Sequence, residues 1–329
     1  MKQELPAKET IRRFPLLQVT EEQLSSLLSP LLGVHYIERV EKVEGGLTNT
    51  ILRVWPTGGS DGLLVRVFAG GRAGWEKERS ILSAVRDFLP VPEVLLASDG
   101  AGDLGYPSLV CRWVEGIPLN AWRKQTLPAD VLRLAEPLGR LTATIATPPV
   151  RPGAGTETAW RATVSSVGEL LLVTQQRLAS RRVQRRLGDA LADALSARLS
   201  KEAKPLENLA GTCCLVHGDL GGRNILVAPD RNGSWHISGL LDWEEAFFGW
   251  AAWDVGSLFR YPRRFGEAFR ARFEGGYRGA GGALSENWWT TSRLLDATRQ
   301  IATLDDESER PVVYADCREL LELLVLDAS

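Results

Sequence analysis

The stretch Val216-His217-Gly218-Asp219-Leu220-Gly221-Gly222-Arg223-Asn224-Ile225-Leu226-Val227 carries the clearest chemical signal in the chain. An apolar run leads into His-Gly-Asp, a glycine-rich stretch follows, and an Asn stands immediately before a second apolar run. Asp242 comes after the next one, in Leu241-Asp242-Trp243. Two carboxylates and an amide oxygen form a hard-oxygen set of the kind that suits Mg²⁺, which keeps water and phosphate oxygens in the rest of its shell. The pattern is that of a phosphoryl-transfer loop, in which one Asp takes the proton of an attacking hydroxyl while an Asn and a second Asp hold the metal. The expected roles are Asp219 as catalytic base, Asn224 and Asp242 as metal ligands, and His217 as the residue that orients the loop by hydrogen bonds.

Such a loop needs elements that hold it. Asn224–Val227 and Trp235–Leu241 read as two strands joined by the turn-forming run Pro229-Asp230-Arg231-Asn232-Gly233-Ser234. That hairpin brings Asp219, Asn224 and Asp242 to one mouth. Upstream, Thr20-Glu21-Glu22-Gln23 is a capping box, and the apolar spacing after it predicts a helix over about 21–32. Residues 36–44, Thr50–Trp55 and Leu63–Phe68 read as three consecutive antiparallel strands. A helix over about 75–87 follows, with Glu78, Ile81, Leu82 and Val85 on one stripe. Strands near Val94 and over Ser108–Val114 complete a small α+β domain. The remainder is mainly helical: Leu127–Thr147, Thr158–Leu199 and most of the chain from about 252 onward. The basic run Arg181-Arg182…Arg185-Arg186 reads as a solvated helix face.

Composition excludes several classes. The 329 residues carry 39 Lys and Arg against 41 Asp and Glu, a net charge of −2, which does not suit a dedicated nucleic-acid binder. No apolar run has the roughly 20 residues of a membrane helix, and the N-terminus lacks a secretory pattern. Cys213 and Cys214 read as small buried residues of a reduced, cytoplasmic protein. Partners are therefore expected to be small molecules, with no nucleic acid and no membrane; composition does not fix the oligomeric state.

His217-Gly218-Asp219 with Asn224, followed by Asp242-Trp243-Glu244, resembles the aminoglycoside phosphotransferase family, small-molecule kinases with a protein-kinase-like fold. Protein kinases have Arg between the His and Asp and Phe-Gly after the second metal Asp; Gly218 and Trp243 fit the small-molecule branch. The resemblance, which runs from about residue 35 to 260, implies a bilobal α+β fold. Residues 1–110 would form a nucleotide-binding lobe with an antiparallel sheet and a helix, 111–116 a hinge, and 117–329 a larger helical lobe with the catalytic loop and acceptor site.

It also implies ATP or GTP with Mg²⁺ as cofactors. Gly45, Gly46, Thr48 and Asn49 would cover the phosphates, where missing side chains let backbone N–H groups approach an anion. Arg66 would take the place where the family usually holds a Lys, with Glu78 as its carboxylate; an Arg there is not a neutral replacement. Backbone groups near Arg112 and Val114 would read the purine edge, and Asp254 would brace the loop. Acidic candidates for a cationic acceptor are Glu245, Glu274, Asp305 and Asp306. The expected reaction is phosphoryl transfer to a hydroxyl of an aminoglycoside or other antibiotic, with a kinase of an endogenous metabolite (choline, homoserine or a ketoamine) or a nucleotide-binding pseudokinase as alternatives.

Overall fold

In a computed structural model, the described residues are 14–33, 36–43, 48–58, 62–102, 104–147, 166–207 and 213–327. Gly45 and Gly46 lie outside them. The chain divides into two units, Met1–Asp87 with Val91–Glu115, and Phe88–Pro90 with Gly116–Ser329.

The first unit begins with α1 (Glu21–Leu32), whose Thr20 hydroxyl accepts from Gln23 N–H while the Gln23 amide oxygen accepts from Thr20 N–H. Then come β1 (Ile37–Lys42), β2 (Thr50–Pro56), β3 (Leu63–Val67), α2 (Arg72–Val85), β4 (Val94–Ser98) and β5 (Ser108–Arg112). They form one antiparallel sheet in the order β1-β2-β3-β5-β4. Side chains alternate across a strand, and β3 uses both faces. Leu63, Val65 and Val67 join Leu52, Val54 and the α1 residues Leu24, Leu28 and Leu32 in one core. Arg66, between Val65 and Val67, points the other way and meets Glu78 of α2. The predicted stripe on α2 is its buried face: Trp75, Glu78, Ile81, Leu82 and Val85.

The second unit holds β6 (Ile117–Pro118), α3 (Leu119–Gln125), α4 (Pro128–Arg133), α5 (Ala135–Ala146), α6 (Val167–Leu178), α7 (Arg181–Leu187), α8 (Asp189–Lys201) and α9 (Ala203–Glu207). It continues with β7 (Cys214–Val216), β8 (Ile225–Pro229), β9 (Trp235–Leu240), β10 (Phe247–Gly249), α10 (Ala252–Leu258), α11 (Glu267–Gly279), α12 (Trp288–Leu304) and α13 (Pro311–Leu326). Helices α6, α7, α8, α12 and α13 share one apolar core with Val216, Trp250 and Trp253. The predicted hairpin is β8–β9, and β6 pairs with its other edge.

Three expectations change. The continuous helical stretch over 158–199 is broken, within its described part, at Ser180, whose hydroxyl caps α7, and at Gly188. The basic run of α7 is solvated in part: Arg181 and Arg185 are exposed as expected, while Arg182 and Arg186 are not free in solvent. Arg186, with 8 % of its side chain exposed, donates to the carbonyls of Leu304 and Asp306 and pairs with Glu309. Arg182 bonds Asp305 O at 2.7 Å, so α7 docks onto the acidic run that follows α12. Cys213 is exposed and Cys214 half-buried, not core residues.

Candidate active site

The catalytic-loop residues follow β7 and lead into β8 in the second unit. His217 is fully buried, and its backbone N–H and both ring nitrogens have partners. Its N–H donates to Asp254 Oδ2 at 2.7 Å, Nε2 lies 2.9 Å from Leu241 O, and Nδ1 accepts from Asp219 N–H at 3.3 Å. This pattern selects the neutral tautomer with the proton on Nε2. Burial lowers the imidazole's pKa below its ordinary 6.5, against the pull of the Leu241 carbonyl and the nearby carboxylates. The unfolded chain therefore binds the proton that the folded site refuses, and this ring's contribution to stability is lost as pH falls below about 6.5. The stability gap between the wild type and His217→Gln should narrow from pH 7 to pH 5, which thermal unfolding across that range would measure.

Gly218 sits at φ +79°, and a Cβ there would run into the Glu245 carbonyl oxygen. The loop thus has no room for the Arg that protein kinases place between His and Asp. The Gly218 N–H donates to Asp254 Oδ1 at 3.0 Å, so both oxygens of Asp254 are used to hold the turn before Asp219. Burial pushes the Asp254 carboxyl up to about 7, opposed by those two N–H bonds.

Asn224 closes the loop from the other side. Its Nδ2 donates to Asp219 O at 2.8 Å and to Asp219 Oδ2 at 3.2 Å. The amide nitrogen being committed, Oδ1 is the atom it can offer a metal. Leu241 N–H bonds Asn224 O at 2.8 Å, extending the β8–β9 ladder by one step and setting Asp242 beside Asn224 at the open end of the hairpin. Asp242 takes φ +66°, a backbone region that Asp tolerates better than most residues. The donors Asn224 Oδ1 and the Asp242 carboxylate fit a hard cation that completes its shell with phosphate and water. Among the described residues, no group of three His, Cys, Asp or Glu is placed to hold a metal.

Two cations from distant segments, Arg260 and Arg299, stand beside Asp219 and form no part of the loop motif. Arg260 Nη1 lies 3.7 Å and Arg299 Nη2 3.8 Å from Asp219 Oδ1. Burial alone would raise the Asp219 carboxyl, but Arg299, Arg260 and Arg223 outweigh it and hold it below the ordinary carboxylate range. Of the acidic acceptor candidates, Glu245 reaches this group, 3.8 Å from Arg299 Nη2. The others have different partners. Glu274 bonds Arg278 and Trp288 Nε1, while Asp305 and Asp306 belong to the docking of α7. Trp288 is packed in an aromatic cluster with Phe259 and Phe273.

In the first unit, Arg66 Nη1 and Glu78 Oε1 are 2.9 Å apart, and both residues are buried. Arg112 donates its N–H to Glu93 O, and its side chain pairs with Glu93. That N–H is therefore taken by the segment leading into β4.

The sequence profile of the phosphotransferase enzyme family (APH) matches residues 39–288. The chain belongs to this family. A curated relative, hygromycin-B 4-O-kinase from Escherichia coli, is 27% identical over 181 residues, 52% of this chain and 48% of that one; the chain spans about half the length of the curated relative it matches. Among solved structures, the GDP complex of wild-type aminoglycoside 2'-phosphotransferase-IIIa has a TM-score of 0.70 at 19% identity, over 95% of this chain and 100% of the other. Macrolide 2'-phosphotransferase MphH from Brachybacterium faecium has a TM-score of 0.63 at 19% identity, over 93% and 98%. These likenesses give the chain a protein-kinase-like fold, with an antiparallel-sheet unit followed by a mainly helical one. Among its described residues, no helix is long and apolar enough to cross a membrane.

Proposed function

We propose that this chain transfers the γ-phosphoryl group of a nucleoside triphosphate, ATP or GTP, to a hydroxyl of a small molecule. The observation that carries the reading is the loop itself. Asp219 is fixed through Asn224, Asp242 directly follows the Leu241 whose N–H bonds Asn224 O, and Asp254 anchors the turn before them. In this reading the acceptor oxygen attacks the γ-phosphorus, the bond from phosphorus to the β-bridging oxygen breaks, the proton passes to the Asp219 carboxylate, and the nucleoside diphosphate leaves. His217 acts through its hydrogen bonds, as a neutral ring that fixes the backbone. Asn224 and Asp242 would hold Mg²⁺, which neutralises phosphate charge when bound. In the first unit, Arg66 braced by Glu78 would meet phosphate, as a fork that binds in two-point fashion where a Lys is a single point charge. Thr48, Asn49 and the segment near Arg112 and Val114 remain the expected nucleotide contacts, the last through groups other than the Arg112 N–H.

An antibiotic hydroxyl is the acceptor we favour, because the curated relative and both solved neighbours described above are named for antibiotic substrates. A second reading, an acceptor that is not a polycation, draws on one observation. Arginines face Asp219, and Glu274, Asp305 and Asp306 are engaged elsewhere. A mass-shift screen with ATP and GTP over aminoglycosides, macrolides, choline, homoserine and ketoamines tests both. Gain of one phosphoryl group by any of them supports transfer, and its identity decides the acceptor class. Nucleotide binding with neither transfer nor hydrolysis would overturn the enzyme reading in favour of a pseudokinase.

A further inference from the structure

The end of α10 and the middle of α12 build a buried polar arm that reaches Asp219. Gly256 of α10 lies against the backbone carbonyl of Ser292 in α12, so close that a Cβ would not fit. Four residues further along each segment, just past the end of α10 at Leu258 and still within α12, Arg260 meets Asp296. The two form a fork. Arg260 Nε is 3.0 Å from Asp296 Oδ2, and Nη2 is 2.8 Å from Oδ1. Asp296 is 1 % exposed and receives a further bond from Gln300 Nε2 at 2.8 Å, and Arg260 Nη2 also reaches Ser257 Oγ at 3.1 Å. Two of the three guanidinium nitrogens are thus spent on an immobile carboxylate. The third, Nη1, faces Asp219 Oδ1. Asn224 holds the other oxygen of that carboxylate.

We propose that Arg260, locked by Asp296, is a positioning residue that sets the orientation of the Asp219 carboxylate for proton acceptance. The proposal rests on Asp219 being the base. A guanidinium held in two-point fashion has little rotational freedom left, so its third nitrogen is a fixed reference for Oδ1. Arg299 adds charge at the same oxygen, yet it is shared with Glu245 at 3.8 Å from each and fixes no direction.

Steady-state kinetics and thermal unfolding of the full chain test this in four forms: wild type, Arg260→Gln, Asp219→Asn and the double variant. With Asp219 present, Arg260→Gln should lower kcat by up to about 100-fold, the cost of misplacing a reacting group by about 1 Å, with the nucleotide KM unchanged. In the Asp219→Asn background it should change the residual rate little. Arg260→Lys should recover part of the loss. Since Arg260→Gln strands a buried carboxylate, the pair Arg260→Gln/Asp296→Asn, which removes both charges together, is run beside it. An equal factor in both Asp219 backgrounds, or an unchanged kcat, would overturn the proposal. If the wild type turns over no acceptor and hydrolyses no nucleotide, the functional reading falls instead. The unfolding midpoints still decide the contact: shifts that are not additive support it, and additive ones refute it.

Discussion

Asp219→Asn is expected to reduce phosphoryl transfer by about 10²- to 10⁴-fold, the span over which a positioned acid or base contributes, while the protein folds and binds nucleotide with unchanged affinity. The substitution keeps the shape of the side chain and an oxygen that can face the Asn224 amide; it removes the basic oxygen and the charge. Arg260 keeps its fork to Asp296 and Arg299 keeps Glu245, so neither guanidinium is left alone. The carboxylate's low pKa shows that these arginines stabilise it, and the variant should lose that modest contribution, a fall of a few degrees in the unfolding midpoint. Near-normal turnover would remove Asp219 from its role and with it the reading of the loop. Loss of nucleotide affinity together with turnover would mean that the residue acts on phosphate or metal binding rather than on the acceptor proton.

The loop was readable because its chemistry and its geometry lie in one short stretch. A His, an Asp and an Asn at fixed spacing next to a hairpin determine their own neighbourhood, and the hairpin's register brings Asp242 alongside. The Arg66–Glu78 pair was readable for a related reason: strand alternation and helical spacing each aim one side chain. Beyond residue 260 no motif was legible, and the parts missed there depend on helix crossings. Arg260 and Asp296 meet only because Gly256 lets α10 press against α12. Sequence offered one weak signal, the long polar residues Arg293, Asp296 and Gln300 spaced through a helix that also carries Leu294, Leu295, Ile301 and Leu304. The arginines of α7 read as a solvated face and the acids after α12 as acceptor candidates, since a charge run on its own says nothing about a complementary run more than a hundred residues away. Their pairing also removes Asp305 and Asp306 from the acceptor site, where they had been placed by charge alone.

Asp254→Ala is expected to abolish turnover by a different route, and the comparison with Asp219→Asn separates holding the loop from doing its chemistry. Asp254 accepts the backbone N–H groups of His217 and Gly218, both inside the unit. Its own burial is unfavourable, as the carboxyl pushed up to about 7 records, so deletion returns some of that cost. Two buried N–H groups then have no acceptor, at about 1–3 kcal/mol each. Their loss outweighs the relief, because Ala brings no oxygen and leaves a cavity where the carboxylate stood. The unfolding midpoint should drop by roughly 10 °C, with turnover lost because nothing fixes the turn that aims Asp219. Asp254→Asn, with one oxygen left for two donors, should fall between Asp254→Ala and the wild type in stability. Differential scanning calorimetry beside a transfer assay reads both quantities. An Asp254→Ala protein as stable as Asp219→Asn would show that the turn is held by the Gly218 backbone and the His217 ring alone.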